Sequence, residues 1–219
     1  MAISEKRQRI ARRIANELGN GWVVNLGIGL PTLVADYIPE NVNIILQSEN
    51  GFVGMGPRAE EGKEDKDLTN AGGIPVTVLP GAAYFDSVDS FAIIRGGHLD
   101  ATVLGVLEVD QEGNLANYMI PGKFVPGIGG AMDLTVGAKR VFAATDHCAK
   151  DGSPKILEKC NLPLTARKEV NYIVTELAFM EVTKNGLVLK EIFEGTTVEE
   201  VIKKTGAKLI IPDKVGTFA

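Results

Sequence analysis

Cysteine is scarce: Cys148 and Cys160 are the only two in 219 residues, too few for a disulfide framework and not spaced as a zinc site requires. Both are expected as free thiols in a reducing compartment. Basic residues are not in excess, because 23 Lys and Arg stand against 28 Asp and Glu and leave a formal net charge of −5. That charge supplies no field to gather nucleic acid or an anionic membrane surface, so neither is expected as a partner. No apolar run is long enough to cross a bilayer, and the charged start Met1-Ala2-Ile3-Ser4-Glu5-Lys6-Arg7 lacks the apolar centre of a signal peptide. The chain reads as soluble and cytoplasmic. Histidine is as scarce as cysteine, and His98 and His147 lie in separate segments without metal-ligand spacing, so both read as structural and no metal is expected.

What is present is a 45% hydrophobic content, enough to fill the core of one α/β domain over residues 1–219, and 25 glycines clustered at the ends of apolar runs. Ile10, Ile14 and Leu18 recur every four positions, which predicts an amphipathic helix over 4–18 stopped by Gly19. Residues 22–26 predict a strand leading through Gly27-Ile28-Gly29 into a helix begun by Pro31 and running to Tyr37. Strands are expected at 43–47, 76–79 (closed by Pro80-Gly81) and 101–109, the last turning at 110–113 into 115–120. Asp86 or Ser87 caps a helix that stops at Gly96-Gly97. A loop between Pro121 and Gly130 precedes a helix at 131–137 and a strand at 140–144, and residues 146–155 read as a surface loop. Strands at 172–182 and 187–192 join across Asn185-Gly186. Thr197 and Glu200 form a capping box for a helix ending at Gly206, and 209–211 is a last strand. This order implies an open, mostly parallel sheet with helices on both faces and antiparallel hairpin additions.

In such sheets ligands bind beyond the carboxyl ends of the strands. Three glycine turns lie there. Gly27-Ile28-Gly29 is half of a dinucleotide fingerprint, but Thr32 stands where the third glycine belongs, and the segment reads as a tight turn. Gly127-Ile128-Gly129-Gly130 at a helix start is either an oxyanion site made of backbone N–H groups or a turn. Ser48-Glu49-Asn50-Gly51 is good turn chemistry that would leave Glu49 in water. Alternatively, the apolar run Ile44-Ile45-Leu46 carries Glu49 toward the interior, as a partly desolvated base or nucleophile with Ser48 and Asn50 as hydrogen-bond partners.

Leu46-Gln47-Ser48-Glu49-Asn50-Gly51-Phe52-Val53-Gly54 resembles the active-site signature of the family I CoA-transferases that act on 3-oxoacids. The resemblance continues through Asn25 to Pro31, Ile94 to His98, Ile120 to Lys123, Gly127 to Leu134 and Cys160 to Thr165, nearly the whole chain. It implies the fold of the ribose-phosphate isomerase and CoA-transferase group, and the second, B-type subunit of the enzyme. It implies Glu49 as the residue that becomes covalently bound to CoA in ping-pong exchange, with Gly129, Gly130 and Ala131 at the acyl thioester and CoA. Ser48, Asn50, Gly51 and Lys123 complete the implied substrate-binding set. No cofactor is implied, CoA being a substrate. The implied partner is an A-type subunit in an A2B2 heterotetramer, and the implied substrates are acyl-CoA and short acids such as acetoacetate, acetate, butyrate or succinate, in fatty acid or ketone body metabolism. Gly73 follows Asn70-Ala71-Gly72 where many succinyl-specific relatives have lysine. The competing readings are a sugar-phosphate isomerase of the same fold, with Glu49 as a proton-transfer base, and a non-catalytic metabolite-binding domain.

Overall fold

The computed structural model describes residues 4–123, 125 and 127–219, so two positions of the expected Pro121–Gly130 loop lie outside the described residues. The first helix, α1 (Glu5–Ala15), buries Ile10, Ala11, Ile14 and Ala15 completely. A fully buried isoleucine contributes about 2 kcal/mol, so Ile10 and Ile14 each help hold the helix against the sheet. Arg13 lies under the same helix, pairing through Nε and Nη2 with both carboxylate oxygens of Glu191 at 2.6 and 3.0 Å while its guanidinium stacks 3.9 Å from the Phe179 ring. The helix ends three residues before the expected stop, because Glu17 and Leu18 bond back three residues and tighten the last turn. Gly19 has another role: a Cβ there would collide with the Trp22 indole.

The strands are β1 (Val23–Leu26), β2 (Ile45–Ser48), β3 (Phe52–Arg58), β4 (Val76–Tyr84), β5 (Ala101–Gly105), β6 (Glu108–Asp110), β7 (Leu115–Ala116), β8 (Val141–Ala144), β9 (Ile156–Leu157), β10 (Tyr172–Val174), β11 (Ala178–Thr183), β12 (Gly186–Phe193), β13 (Leu209–Ile210) and β14 (Gly216–Phe218). Between them lie a 3-10 helix (Leu30–Tyr37), α2 (Ser87–Arg95), α3 (Ala131–Gly137) and α4 (Val198–Lys204). The main sheet runs β13-β12-β11-β10-β8-β5-β1-β2-β3-β4, with β14 beside β12. Its centre, β10-β8-β5-β1-β2, is parallel throughout, and antiparallel strands extend it on both sides.

Alternation along the central strands divides the core in two. Val24, Val103, Phe142, Ala144 and Val174 face α1 and the 3-10 helix, whereas Leu104, Val141, Ala143 and Ile173 face the side on which α2 and α3 bury Ile94 and Leu134. Helices thus cover both faces, as the alternation of elements predicts.

Several boundaries differ from the expected ones. The segment 30–37 winds as a 3-10 helix, begun by Thr32, whose N–H and hydroxyl both bond to the Gly29 carbonyl three residues back. β4 continues through Pro80 and Gly81; it is the edge strand, where a missing N–H leaves no ladder bond unmade. The expected strand 101–109 is two strands in two sheets: Val106 donates to Ala144 of the main sheet, and Leu107 donates to Ala116 of a small β7-β6-β9 sheet. The expected strand 172–182 folds back on itself, because the Thr175 hydroxyl accepts from the N–H groups of Leu177 and Ala178 and turns the chain. Thr197 caps α4 through the Glu200 N–H, but the Glu200 side chain pairs with Lys204. No described helix is long and apolar enough to cross a membrane.

The polar segment 146–155 is not wholly at the surface. His147 is fully buried, its ring 2.9 Å from both the Thr175 and Thr205 hydroxyls, and its backbone N–H donates to Glu176. Burial pushes the imidazole down to about 4; Glu176 and Glu200 oppose this and Lys204 reinforces it. Between pH 6.5 and about 4 the unfolded chain therefore binds the extra proton and the folded chain does not. Stability from the neutral imidazole is intact above that window and lost as pH falls through it, to a total of about 3 kcal/mol. We expect urea unfolding of His147→Gln to show a smaller loss between pH 7 and pH 4.5 than the parent; equal losses would place the acid sensitivity elsewhere.

Candidate active site

The carboxyl ends of β1 and β2 and the starts of α2 and α3 meet at one edge of the sheet. Glu49 follows the last residue of β2 and is half-buried there. The segment is a turn, and Glu49 is partly withdrawn from solvent. Gly51 N–H bonds to the Ser48 carbonyl at 3.1 Å and Gly51 has φ 129°, so the segment is a turn that needs glycine, the more so because a Cβ would strike the Phe85 carbonyl. Glu49 nevertheless does not point freely into water. Asn25, fully buried on β1 and in register with Gln47, donates through Nδ2 to Glu49 Oε2 at 2.9 Å and to Gln47 Oε1 at 2.8 Å. Gln47 Nε2 donates to Ser90 Oγ on α2 at 3.1 Å, and Ser90 Oγ donates to the Glu49 carbonyl at 2.8 Å.

Ser48 and Asn50 are not the hydrogen-bond partners of the Glu49 carboxylate. Side chains alternate along a strand, so Gln47 and Glu49 share one face and Ser48 takes the other. Ser48 Oγ accepts from the Ala71 N–H at 3.1 Å, and Asn50 Nδ2 donates to the Thr69 carbonyl at 2.7 Å. Together they seat the Asn70-Ala71-Gly72-Gly73 turn beside the site, where Gly73 sits at φ 74°. A cavity of about 270 Å³ lined by Leu26, Ile28, Leu33, Ser48, Met55 and Ile74 lies beside this turn, and Glu49 is not among its lining residues.

Gly130 caps the start of α3, and a Cβ built on it would lie 3.6 Å from Glu49 Cγ and 3.4 Å from the Phe91 ring. Its φ of −82° suits any residue and a Cβ would make only ordinary contacts, so a methyl group would fit there and only a larger side chain would crowd Glu49; the neighbouring Gly129, at φ 55°, needs glycine for conformation. Ala131 is buried as the first residue of α3. Arg95 Nε bonds to Asp133 at 2.7 Å and ties α2 to α3. Gly130 is thus brought against the Glu49 side chain, with Gly129 and Ala131 as its neighbours along the chain. Lys123 is exposed in the turn after Ile120, and no described contact joins it to Glu49.

Gly27 packs against Val103, with its N–H on the Val103 carbonyl at 2.8 Å, so it extends the pairing of β1 with β5, and it is Gly29, at φ 87°, that bends the chain into the 3-10 helix. His98 is exposed after α2. Both cysteines are free, and burial raises each thiol, Cys160 to about 12, so neither is a thiolate at neutral pH. Sequence reasoning assigned no role to Asn25, Gln47 or Ser90. The available signal was a polar side chain inside an apolar run, as in Val24-Asn25-Leu26, just before a glycine turn.

A half-buried carboxylate held by an amide, with a glycine-opened helix start against its side chain, is chemically able to act as a nucleophile or as a base. The chain belongs to the coenzyme A transferase family, whose profile matches residues 7–204, and it is an enzyme of that class. It is 55% identical over 213 residues to the beta subunit of the acetate CoA-transferase of Escherichia coli K12, covering 97% of each chain. It is 49% identical over 213 residues to the B-type subunit of the probable succinyl-CoA:3-ketoacid coenzyme A transferase of Bacillus subtilis, covering 97% of this chain and 99% of that one. Among solved structures, an acyl-CoA transferase apoenzyme of Escherichia coli O157:H7 superposes over the whole chain and 44% of its own length, with a TM-score of 0.78 at 22% identity. The decarboxylase AibA/AibB superposes over 97% of this chain and 88% of its own, with a TM-score of 0.74 at 18% identity. The fold thus serves more than one reaction, and the site must carry the functional argument.

Proposed function

We propose that this chain, as one B-type domain over residues 1–219, moves CoA between an acyl-CoA and a short carboxylic or 3-oxo acid through a covalent thioester on Glu49. The observation that carries the reading is the Glu49 carboxylate, half-buried at the end of β2, held by Asn25 at 2.9 Å and facing Gly130. The carboxylate attacks the thioester carbonyl, the carbon–sulfur bond breaks, CoA leaves as thiolate, and a mixed anhydride forms on Glu49. The thiolate then attacks the glutamyl carbonyl and expels the acyl group as its carboxylate, leaving CoA on Glu49. An incoming acid runs both steps in reverse. The energy of one thioester passes to the next, so the cycle as written calls for no metal, nucleotide or redox cofactor. Gly129 and Gly130 supply backbone N–H groups for the oxyanion of each tetrahedral intermediate, Ala131, whose N–H bonds to the Ile128 carbonyl at 3.4 Å, closes the turn behind them, and Ser48, Asn50 and Gly51 shape the turn that presents Glu49.

Acetoacetate with acetate or butyrate is the preferred acid pair, in fatty acid or ketone body metabolism in the cytoplasm. The relatives' subunit names support an A-type partner, in an A2B2 assembly. The partner reading is also supported by Val88 on α2, at 74% exposed, and by Val136 on α3, at 70%, beside the helices that frame Glu49. A partner seated there would shield the anhydride from hydrolysis. Purified alone and shown to be folded, the chain should not exchange CoA; adding an A-type subunit should restore exchange between acetyl-CoA and acetoacetate. Robust exchange by the isolated chain would remove the partner from the proposal, and no exchange by the pair would remove the activity.

A further inference from the structure

The carboxylate and the carbonyl of Glu49 are gripped by one closed ring of hydrogen bonds, and we propose that Asn25, Gln47 and Ser90 are positioning residues that lock Glu49 by Oε2 and leave Oε1 to attack. The inference rests on Glu49 being the nucleophile. The ring runs from the Glu49 carbonyl to Ser90 Oγ at 2.8 Å, to Gln47 Nε2 at 3.1 Å, from Gln47 Oε1 to Asn25 Nδ2 at 2.8 Å, and back to Glu49 Oε2 at 2.9 Å. Its three outer members are 0%, 1% and 0% exposed, so water does not compete for these bonds.

Donors and acceptors can run only one way around. Ser90 has a single proton and donates it to the Glu49 carbonyl, so it must accept from Gln47. The Gln47 amide oxygen then faces Asn25, which must present its NH2 both to that oxygen and to the carboxylate. A further contact at 3.3 Å from Asn25 Nδ2 to the Gln47 backbone carbonyl adds a third acceptor on the same side. The consequence is that Asn25 Oδ1 is buried without a partner. An orphaned buried acceptor costs about 1–3 kcal/mol. Turning the amide over would place its oxygen against three acceptors, one of them charged, so the orphan persists because Glu49 requires the donor end. Thr102, in register with Asn25 on β5, buries the other unpartnered side-chain oxygen among the described residues. A Thr102 hydroxyl turned toward Oδ1 would hold the amide the same way round.

The arrangement follows from strand periodicity. Gln47 and Glu49 share a face, Asn25 is Gln47's register partner, and α2 brings Ser90 over the pair. A tether at both ends of one residue restricts its side-chain torsions, and a carboxylate misplaced by about 1 Å loses ~10²-fold in rate.

The test uses the enzyme assembled with its A-type subunit. Ser90→Ala and Asn25→Ala should each lower kcat by about 10- to 100-fold with little change in KM for acyl-CoA. The double variant should be little worse than the worse single one, because both residues act through Glu49. Crystal structures of the two single variants, which require no activity, should show the Glu49 carboxylate displaced from its parental position. If Asn25→Ala does not fold, Ser90→Ala carries the comparison alone. Absence of exchange in the parent enzyme counts against Glu49 as nucleophile, whereas the variant crystals judge the ring by itself. A Glu49 carboxylate that has not moved in a folded variant, or a kcat within about twofold of the parent, overturns the positioning role.

Discussion

Glu49→Gln is expected to reduce CoA exchange on the order of 10⁵-fold in an enzyme that still folds and still pairs with its A-type subunit, the scale seen when a covalent nucleophile is removed. The substitution keeps the shape of the side chain, and the new amide oxygen can still accept from Asn25 Nδ2, which lies 2.9 Å from Oε2 in the parent. What is lost is the negative charge that attacks the thioester. Glu49→Asp should be milder, near ~10²-fold, because the shorter arm withdraws the carboxylate by about one bond length and out of reach of the same amide. The chemistry can be followed directly. Treating the assembled enzyme with acyl-CoA, reducing with borohydride and mapping peptides should place the modified residue at position 49. An unmodified Glu49 in an enzyme that still shows ping-pong exchange would sink the assignment.

The second large effect belongs to Gly130. A Cβ there would meet Phe91 at 3.4 Å and Glu49 Cγ at 3.6 Å, which is ordinary contact, so Gly130→Ala is expected to fold and retain much of its activity. Valine adds two further methyl groups to a space shared by the nucleophile and the arriving thioester. Gly130→Val should therefore fold, since φ −82° is open to any side chain, yet turn over on the order of 10²- to 10³-fold more slowly, comparable to losing an oxyanion donor. Measuring kcat and KM for both variants tests this. A folded Gly130→Val enzyme with near-parental turnover would reduce the glycine run to a turn.

The competing readings of Glu49 differ in what these experiments would yield. A sugar-phosphate isomerase would use the carboxylate as a base and form no glutamyl thioester, and a metabolite-binding domain would tolerate Glu49→Gln without loss of binding. Family membership, together with relatives named as CoA-transferase subunits, favours transfer. The ring around Glu49 is compatible with that choice, because it holds the carboxylate while leaving one oxygen uncommitted.

By itself the sequence determined those features that depend on neighbours along the chain. The stripe Ile10, Ile14 with Ala11 and Ala15 made α1 legible, Asp86 announced the start of α2, Asn185-Gly186 marked a hairpin, and Ser48-Glu49-Asn50-Gly51 located the candidate nucleophile. Each is written in the chemistry of a few consecutive residues: a helical period, a capping side chain, a backbone at positive φ. Tertiary structure decided whatever depends on partners distant in sequence. Whether 101–109 was one strand or two depended on Ala144 and Ala116 taking successive N–H groups into different sheets. Whether His147 lay in water or in the core depended on Thr175 and Thr205. Which groups held Glu49 depended on strand register, which puts Asn25 beside Gln47 and Ser48 on the opposite face, and on α2 bringing Ser90 across 41 positions of chain. A local motif can place a carboxylate at the end of a strand, but the amide that holds it comes from the neighbouring strand, and only packing selects the neighbour.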